Sequence, residues 1–365
     1  MKHACALMLL LLLCMACGCW DQRVVERIEY IVNVGVDARP NGQILYSITT
    51  PSLQAGGQPK PRLRATVVST PREGREKLFL QSTGRLQSGK LEQIAFGEAM
   101  ARRGILDYLD VLVRDPINPV LARLVVVKGT AFDFYKKAVK WPQLPLPGIY
   151  LSRLFDQAVE NGSIPNTNIS SFFTRYYAPG LDPILPLVKA TKTRAIVLGA
   201  ALFRDDKYAG ELDVDETYLL GVLRGDPADH LLAVPASRLA RGKRKMVVRF
   251  IGGRAKLKLE VGRDAPRASY EVSLTGLLEE FQMGYPVTEK VLARVERITA
   301  GHARRMYEGI WAKLRRANCD PLGLGDKVRA RHNDYWLKHD WREVYPRIEA
   351  DFRVKVEILN YGVIR

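Results

Sequence analysis

Four of the five cysteines fall in the first nineteen residues: Cys5, Cys14, Cys17 and Cys19, with Cys319 alone beyond them. A thiol can close a disulfide, ligate a metal, attack a carbonyl or accept a lipid. One cysteine past Trp20 leaves the body of the chain without an internal disulfide or a cysteine-built zinc site. The leading cysteines have small residues directly before them, in Ala16-Cys17 and Gly18-Cys19. A lipoprotein signal needs that arrangement: the peptidase accommodates only a small side chain there, and the thiol takes up the diacylglycerol thioether. Cys19, behind Gly18, is the better lipidation site and Cys17 the second. Ala16 stands three positions before Cys19, where such signals usually carry leucine.

The remaining reactive side chains suggest no chemistry. His332 and His339 are seven apart, beside Asp340, but no third metal ligand is suitably spaced. Cys319 with His302 or His332 would make a thiol nucleophile pair, and an inert, half-buried cysteine is the reading preferred. Asp205, Asp206, Glu211, Asp213, Asp215 and Glu216 form an acidic cluster. A calcium loop would alternate such oxygens around a glycine, whereas acids also favour the first turn of a helix, and the helix reading wins. Gly252-Gly253 reads as a hairpin turn and not a phosphate cradle. No Gly-x-Gly-x-x-Gly, Walker loop, nucleophile elbow or His-Glu-x-x-His occurs. The expectation is a protein that is not an enzyme, with no cofactor and no metal.

The elements that would carry these residues begin with a leader. Lys2 precedes an apolar run from Ala6 to Leu13, the n- and h-regions of an export signal. That run is far shorter than the roughly 20 residues a membrane-spanning helix needs. The 56 Lys and Arg against 39 Asp and Glu give a formal charge of +17, which suits nucleic acid, an anionic membrane or an acidic partner. Export removes nucleic acid from that set.

Beyond the leader, Tyr30 to Asp37 and Ile44 to Thr50 read as strands joined by Arg39-Pro40-Asn41-Gly42. Pro51 to Arg64 reads as an irregular connection. Glu98 to Arg103 and Ile105 to Val113 read as helices split by Gly104, and Leu124 to Gly129 as a buried strand. Ala131 to Lys140 and Gly148 to Glu160 read as helices. After the prolines of 179–186, Arg194 to Phe203 turns back through Tyr208 to Leu212, and Asp213 to Leu223 is helical. Lys245 to Ile251 and Ala255 to Val261 would form a hairpin about the two glycines, with Ser269 to Leu278 beside it. Thr288 to Arg316 is a long amphipathic helix: Val291, Val295, Ile298, His302, Met306, Ile310 and Leu314 share one face. Lys290, Arg294, Arg297, Arg304, Arg305, Arg315 and Arg316 make the opposite face basic. Phe352 to Leu359 closes the chain as a strand. The fold class is α+β, with mixed α/β domains, two to three in number, and largely antiparallel sheets.

Three stretches carry more than pattern. Gly18-Cys19-Trp20-Asp21-Gln22-Arg23 is followed by Val34-Gly35-Val36-Asp37. Leu198-Gly199-Ala200-Ala201-Leu202-Phe203-Arg204-Asp205-Asp206-Lys207 runs on through Gly210 and Leu212 to Glu216-Thr217. Cys319-Asp320-Pro321-Leu322-Gly323-Leu324-Gly325 precedes Trp336, Trp341 and the closing strand to Gly362. In order and spacing, over essentially the whole chain, these resemble the Ger(x)C lipoproteins, the C-subunit type of spore germinant receptor. Ala16, the segment from Arg315 to Ala317, and Leu324 depart from that family's pattern. The Cys-Trp-Asp signature itself favours Cys19 over Cys17.

The resemblance implies three mixed α/β domains and no assigned catalytic residue. It implies a lipid anchor on the outer face of the spore inner membrane, beside a transporter-like B subunit and a larger membrane A subunit. The organisation expected is a signal peptide at 1–18, an N-terminal germination-protein region at 19–190, with room for two subdomains, and a C-terminal germination-protein domain at 194–365. The alternative is a free-standing lipoprotein that binds a solute in a cleft and delivers it to a transporter.

Overall fold

The computed structural model describes residues 28–53, 59–114, 117–141, 146–226, 228–235, 245–262, 264–281 and 287–360. A large sheet of eight strands organises the first two thirds, in the order β10-β9-β8-β7-β6-β2-β3-β4. Its strands are β2 (Asn33–Ala38), β3 (Ile44–Leu53), β4 (Pro59–Val68), β6 (Gln93–Gly97), β7 (Arg123–Val127), β8 (Ile184–Ala190), β9 (Ala195–Arg204) and β10 (Lys207–Leu212). The centre, β2-β6-β7-β8, is parallel, and the flanks are antiparallel. Parallel strands need crossovers and cover on both faces, and the helices supply both.

Alternation along the strands divides their side chains between two cores. Ile94, Phe96, Leu124 and Val126 face α1 (Pro71–Phe79), α2 (Glu98–Arg103), α3 (Leu106–Val113) and α6 (Ile169–Tyr177). Ala95, Val125, Val127 and Val188 face α4 (Ala131–Ala138) and α5 (Pro147–Glu160). A short parallel pair, β1 (Ile28–Tyr30) with β5 (Arg85–Gln87), forms a separate two-stranded sheet tied to β4 by the Glu29–Arg64 ion pair.

After α7 (Val214–Arg224), a second sheet orders β11 (His230–Pro235), β12 (Lys245–Glu260), β13 (Arg267–Phe281) and β14 (Glu349–Asn360). The helix α8 (Glu289–Ala317) lies on it, with Tyr307 and Tyr270 each stacked on Phe352 at 5.4 Å. Three short helices, α9 (Leu324–Arg331), α10 (Asn333–Lys338) and α11 (Trp341–Val344), lead into β14. Ile184, Ala200, Leu202 and Leu212 of the large sheet belong to the same core as this second sheet. The turn from Thr191 to Arg194, between the two long segments expected from sequence, is the hairpin turn joining β8 to β9.

The mixed α+β class is as expected, and several elements are too. Thr288 caps α8, accepting the amide N–H of Val291, and Gly104 divides α2 from α3 at φ +124°. Three readings change. Within the stretch from Pro51 to Arg64, the described residues are strand: 51–53 end β3 and 59–64 begin β4, with Pro51 opposite Pro61. Pro61 is tolerated because β4 is an edge strand, and Pro51 because it lies beyond Thr49, the last residue of β3 paired with β2, so in neither place does a missing N–H cost a second ladder.

Gly252-Gly253 is not a hairpin turn but lies inside the sixteen-residue strand β12, beside a register shift against β13. A Cβ on Gly253 would lie 2.9 Å from both methyls of Val222 on α7. The glycine is there for close approach, as strand glycines often are. Along α8, the buried face runs through Val295, Thr299, Ala303, Tyr307, Ile310, Trp311 and Leu314, while Ile298, His302 and Met306 lie at its margin. The face is rotated toward the aromatic residues because they bury more area than the aliphatic stripe.

Candidate functional site

Cys19 and its alternative Cys17 lie outside the described residues, as do Trp20 and Asp21. The motif residues that are described meet in two places. In the first, Asp37 leaves β2 and is buried, accepting the amide N–H groups of Ala131 (2.7 Å) and Phe132 (2.8 Å). It satisfies two of the free donors at the start of α4. Burial pushes its carboxyl up, and the Phe132 and Ala131 amides and Arg39 oppose that. Gly97 has to be glycine here, since a Cβ would fall 2.0 Å from Asp37 Oδ1.

The second meeting point joins stretches far apart in sequence. Asp182, just before β8, has a side chain only 2% exposed and takes Arg342 in a two-pronged pair, Nη1 to Oδ2 and Nη2 to Oδ1, both 2.7 Å. The backbone amides of Asp205 (3.2 Å) and Asp320 (2.7 Å) donate to the same carboxylate. Arg342 also reaches Asp205 Oδ1 at 2.5 Å and the carbonyl of Asn318 at 3.1 Å. Burial would lower Arg342, but Asp182 and Asp205 more than reverse that and hold it firmly charged.

Beside it, Asp320 is fully buried and accepts from the amides of Leu324 (3.1 Å) and Gly325 (2.8 Å) and from Trp341 Nε1 (3.2 Å). Burial pushes its pKa up to about 7, against those two amides. Gly325 packs on Gly180 and the Trp341 ring, with no room for a Cβ: Gly180 Cα and Trp341 Nε1 would both stand 2.6 Å away. Cys319 is wholly buried next to this cluster, and burial with the Asp182 and Asp320 charges drives its thiol well above the ordinary range. Such a thiol is inert.

The other residues singled out from sequence stay apart. His332 links α9 to α10, and His339 stacks on Tyr335 at 4.0 Å and contacts its carbonyl at 2.8 Å. His302 is half-buried on α8, lowered by burial and by Arg305. His230 is buried between Asp215 (2.8 Å) and the carbonyl of Asn161 (3.1 Å), stacked on Tyr218 at 4.5 Å. Among the described residues, no three His, Cys, Asp or Glu side chains stand where they could hold a metal ion.

The acidic cluster is dispersed over structural tasks. Asp213 and Glu216 form a capping box on α7, Asp206 accepts the Leu106 amide at 3.1 Å, and Glu211 pairs with Lys128 at 2.5 Å. On the basic face of α8, Arg304 pairs with Glu308 and Arg315 reaches the Ile348 carbonyl. Among the described residues, no helix is long and apolar enough to cross a membrane.

Asp182 and Arg342 escaped the sequence reading. The available signal was a lone acid inside the apolar run Leu181-Asp182-Pro183-Ile184-Leu185, since a charge is buried there only if paired.

Comparison with known proteins fits this geometry. A family model described as spore germination protein N-terminal domain matches residues 21–190, and one described as spore germination B3/GerAC like, C-terminal, matches 198–362. The chain is 22% identical to spore germination protein GerQC of Bacillus cereus and 24% identical to spore germination protein B3 of Bacillus subtilis, over 95% of each chain in both cases. The crystal structure of the GerBC protein superposes with a TM-score of 0.59 at 20% identity, over 90% of this chain and 97% of that one. With the two family models together spanning nearly the whole chain, the chain belongs to the Ger(x)C family of spore germination proteins.

Proposed function

We propose that the chain is a non-catalytic, lipid-anchored subunit of a nutrient germinant receptor. It is held through Cys19 on the outer face of the spore inner membrane and contacts the A and B membrane subunits. The observation that carries this reading is the fate of the motif residues. Asp37, Asp205 and Asp320 bond to backbone amides, arginine or tryptophan, the last two beside the Asp182–Arg342 pair, so the family pattern describes how a scaffold is held together. The proposed division at 1–18, 19–190 and 194–365 goes with this role.

Anchoring is tested by mass spectrometry of the N-terminal peptide of the membrane-extracted protein, alongside fractionation of a Cys19→Ala variant. A diacylglycerol-bearing peptide beginning at Cys19, and release of the variant into the soluble fraction, are expected. A peptide beginning elsewhere, or a variant that stays membrane-bound and supports normal germination, would remove the anchor from the account.

A further inference from the structure

A cavity of about 240 Å³ opens where the turn after α5 meets α7. Val159, Ile164, Pro165, Ile184 and Ala228 give it apolar walls, and Arg224, from the last turn of α7, is its cation. That guanidinium is poorly matched by its surroundings. Its side chain is only 14% exposed, and its one ion pair among the described residues is Nε to Asp226 Oδ2 at 3.2 Å, with a carboxylate that is itself 55% exposed. The contact is bent far enough that the buried Nε has no hydrogen-bond partner among the described residues.

A second cation makes the imbalance worse. Burial, with the Arg224 charge, lowers Arg175 to about 10. Its Nη1 reaches the carbonyl of Pro321 at 3.4 Å. Arg224 therefore faces the cavity with one screened carboxylate beside it. Buried charge is normally paired and hydrogen-bonded, and the guanidinium fork matches a carboxylate in the plane and in spacing.

We infer that this cleft binds a small monocarboxylate with an aliphatic body, the acid group on Arg224 and the hydrocarbon against the apolar walls. The volume lies below the roughly 300–1,000 Å³ of sites for drug-sized ligands, which sets the ligand at the size of a short branched acid. An inorganic oxyanion would leave the apolar walls without a partner. The inference stands independently of the receptor reading, since it concerns binding by this chain alone.

The test is calorimetric titration of the full chain, purified in detergent, with isovalerate, its uncharged amide isovaleramide, and inorganic phosphate. Isovalerate should bind saturably, and the amide at least about tenfold more weakly, as loss of a charge-assisted pair requires. Arg224→Gln should weaken isovalerate by a similar factor. Ala228→Phe should abolish binding by filling the cavity while leaving Arg224 in place, with thermal melts confirming that both variants fold. If Arg224→Gln does not fold, the acid-to-amide ratio and Ala228→Phe decide. No saturable isovalerate binding, an amide that binds equally well, phosphate as the sole ligand, or Ala228→Phe binding as the native chain does would each overturn the assignment.

Discussion

Replacing Arg342 by methionine removes the partner of a carboxylate that has almost no access to water. Asp182 would keep the amide N–H groups of Asp205 and Asp320 but lose both 2.7 Å bonds to the guanidinium. Breaking a buried pair from one side costs about 3–5 kcal/mol. Arg342 is 34% exposed, so water screens part of the pair and about 2–4 kcal/mol is the better expectation. Unfolding entropy of about 2.1 cal/mol/K per residue over 365 residues amounts to about 0.8 kcal/mol/K. The melting temperature should therefore fall by about 3–5 °C. The assay is thermal and urea unfolding of Arg342→Met, Asp182→Asn and the double variant. Because the pair acts as a unit, the double variant should lose clearly less than the sum of the two single losses. A loss under about 1 kcal/mol for Arg342→Met, the value of an ordinary surface pair, or simple additivity, would refute the claim that this pair holds the junction.

Asp320 carries a pH signature. Its folded pKa near 7 lies above its ordinary 3.8, so the folded state binds the proton more tightly and stability falls as pH rises from about 4 to about 7. Asp320→Asn should lack that slope in unfolding measured across this window and should lose about 1–3 kcal/mol at its acid end, because an amide N–H₂ faces N–H donors. The two glycines of β12 separate the strand from the turn: Gly253→Val should cost about 1–3 kcal/mol through contact with Val222, while Gly252→Ala, with open space around it, should change unfolding by less than about 1 kcal/mol. Equal damage at both positions would restore the hairpin. Asp37→Ala should destabilise by about 1–2 kcal/mol through loss of the α4 cap, read as lower urea resistance and faster amide exchange at Ala131 and Phe132.

What the sequence made legible follows from how local each signal is. The helix α8, with its Thr288 cap, and the β9–β10 hairpin are decided within a few turns or residues of themselves, and both are where the sequence puts them. The parallel centre of the large sheet is different. Its strands come from residues 33 to 190, and nothing in a strand names its neighbour across a crossover. Gly252-Gly253 misleads because a two-glycine interruption looks the same in a turn and in a strand; only Val222 and Leu274 in the folded chain distinguish them. Asp182 and Arg342 are 160 positions apart, so neither announces the other. The resemblance could mark Asp205, Asp320 and Trp341 as pattern residues, but not that the Asp205 and Asp320 amides meet at the Asp182 carboxylate while Trp341 bonds to Asp320. The proposed lipidation site, Cys19, is the reverse case, a reading made from motif alone that lies outside the described residues.

The central claim is membership of a membrane receptor complex, and affinity capture of the tagged protein from detergent-solubilised spore membranes tests it most directly. The account predicts that mass spectrometry recovers with it a transporter-like polytopic protein and a second, larger membrane subunit. Recovery of the tagged chain alone, under detergent conditions that keep other membrane complexes intact, would contradict it.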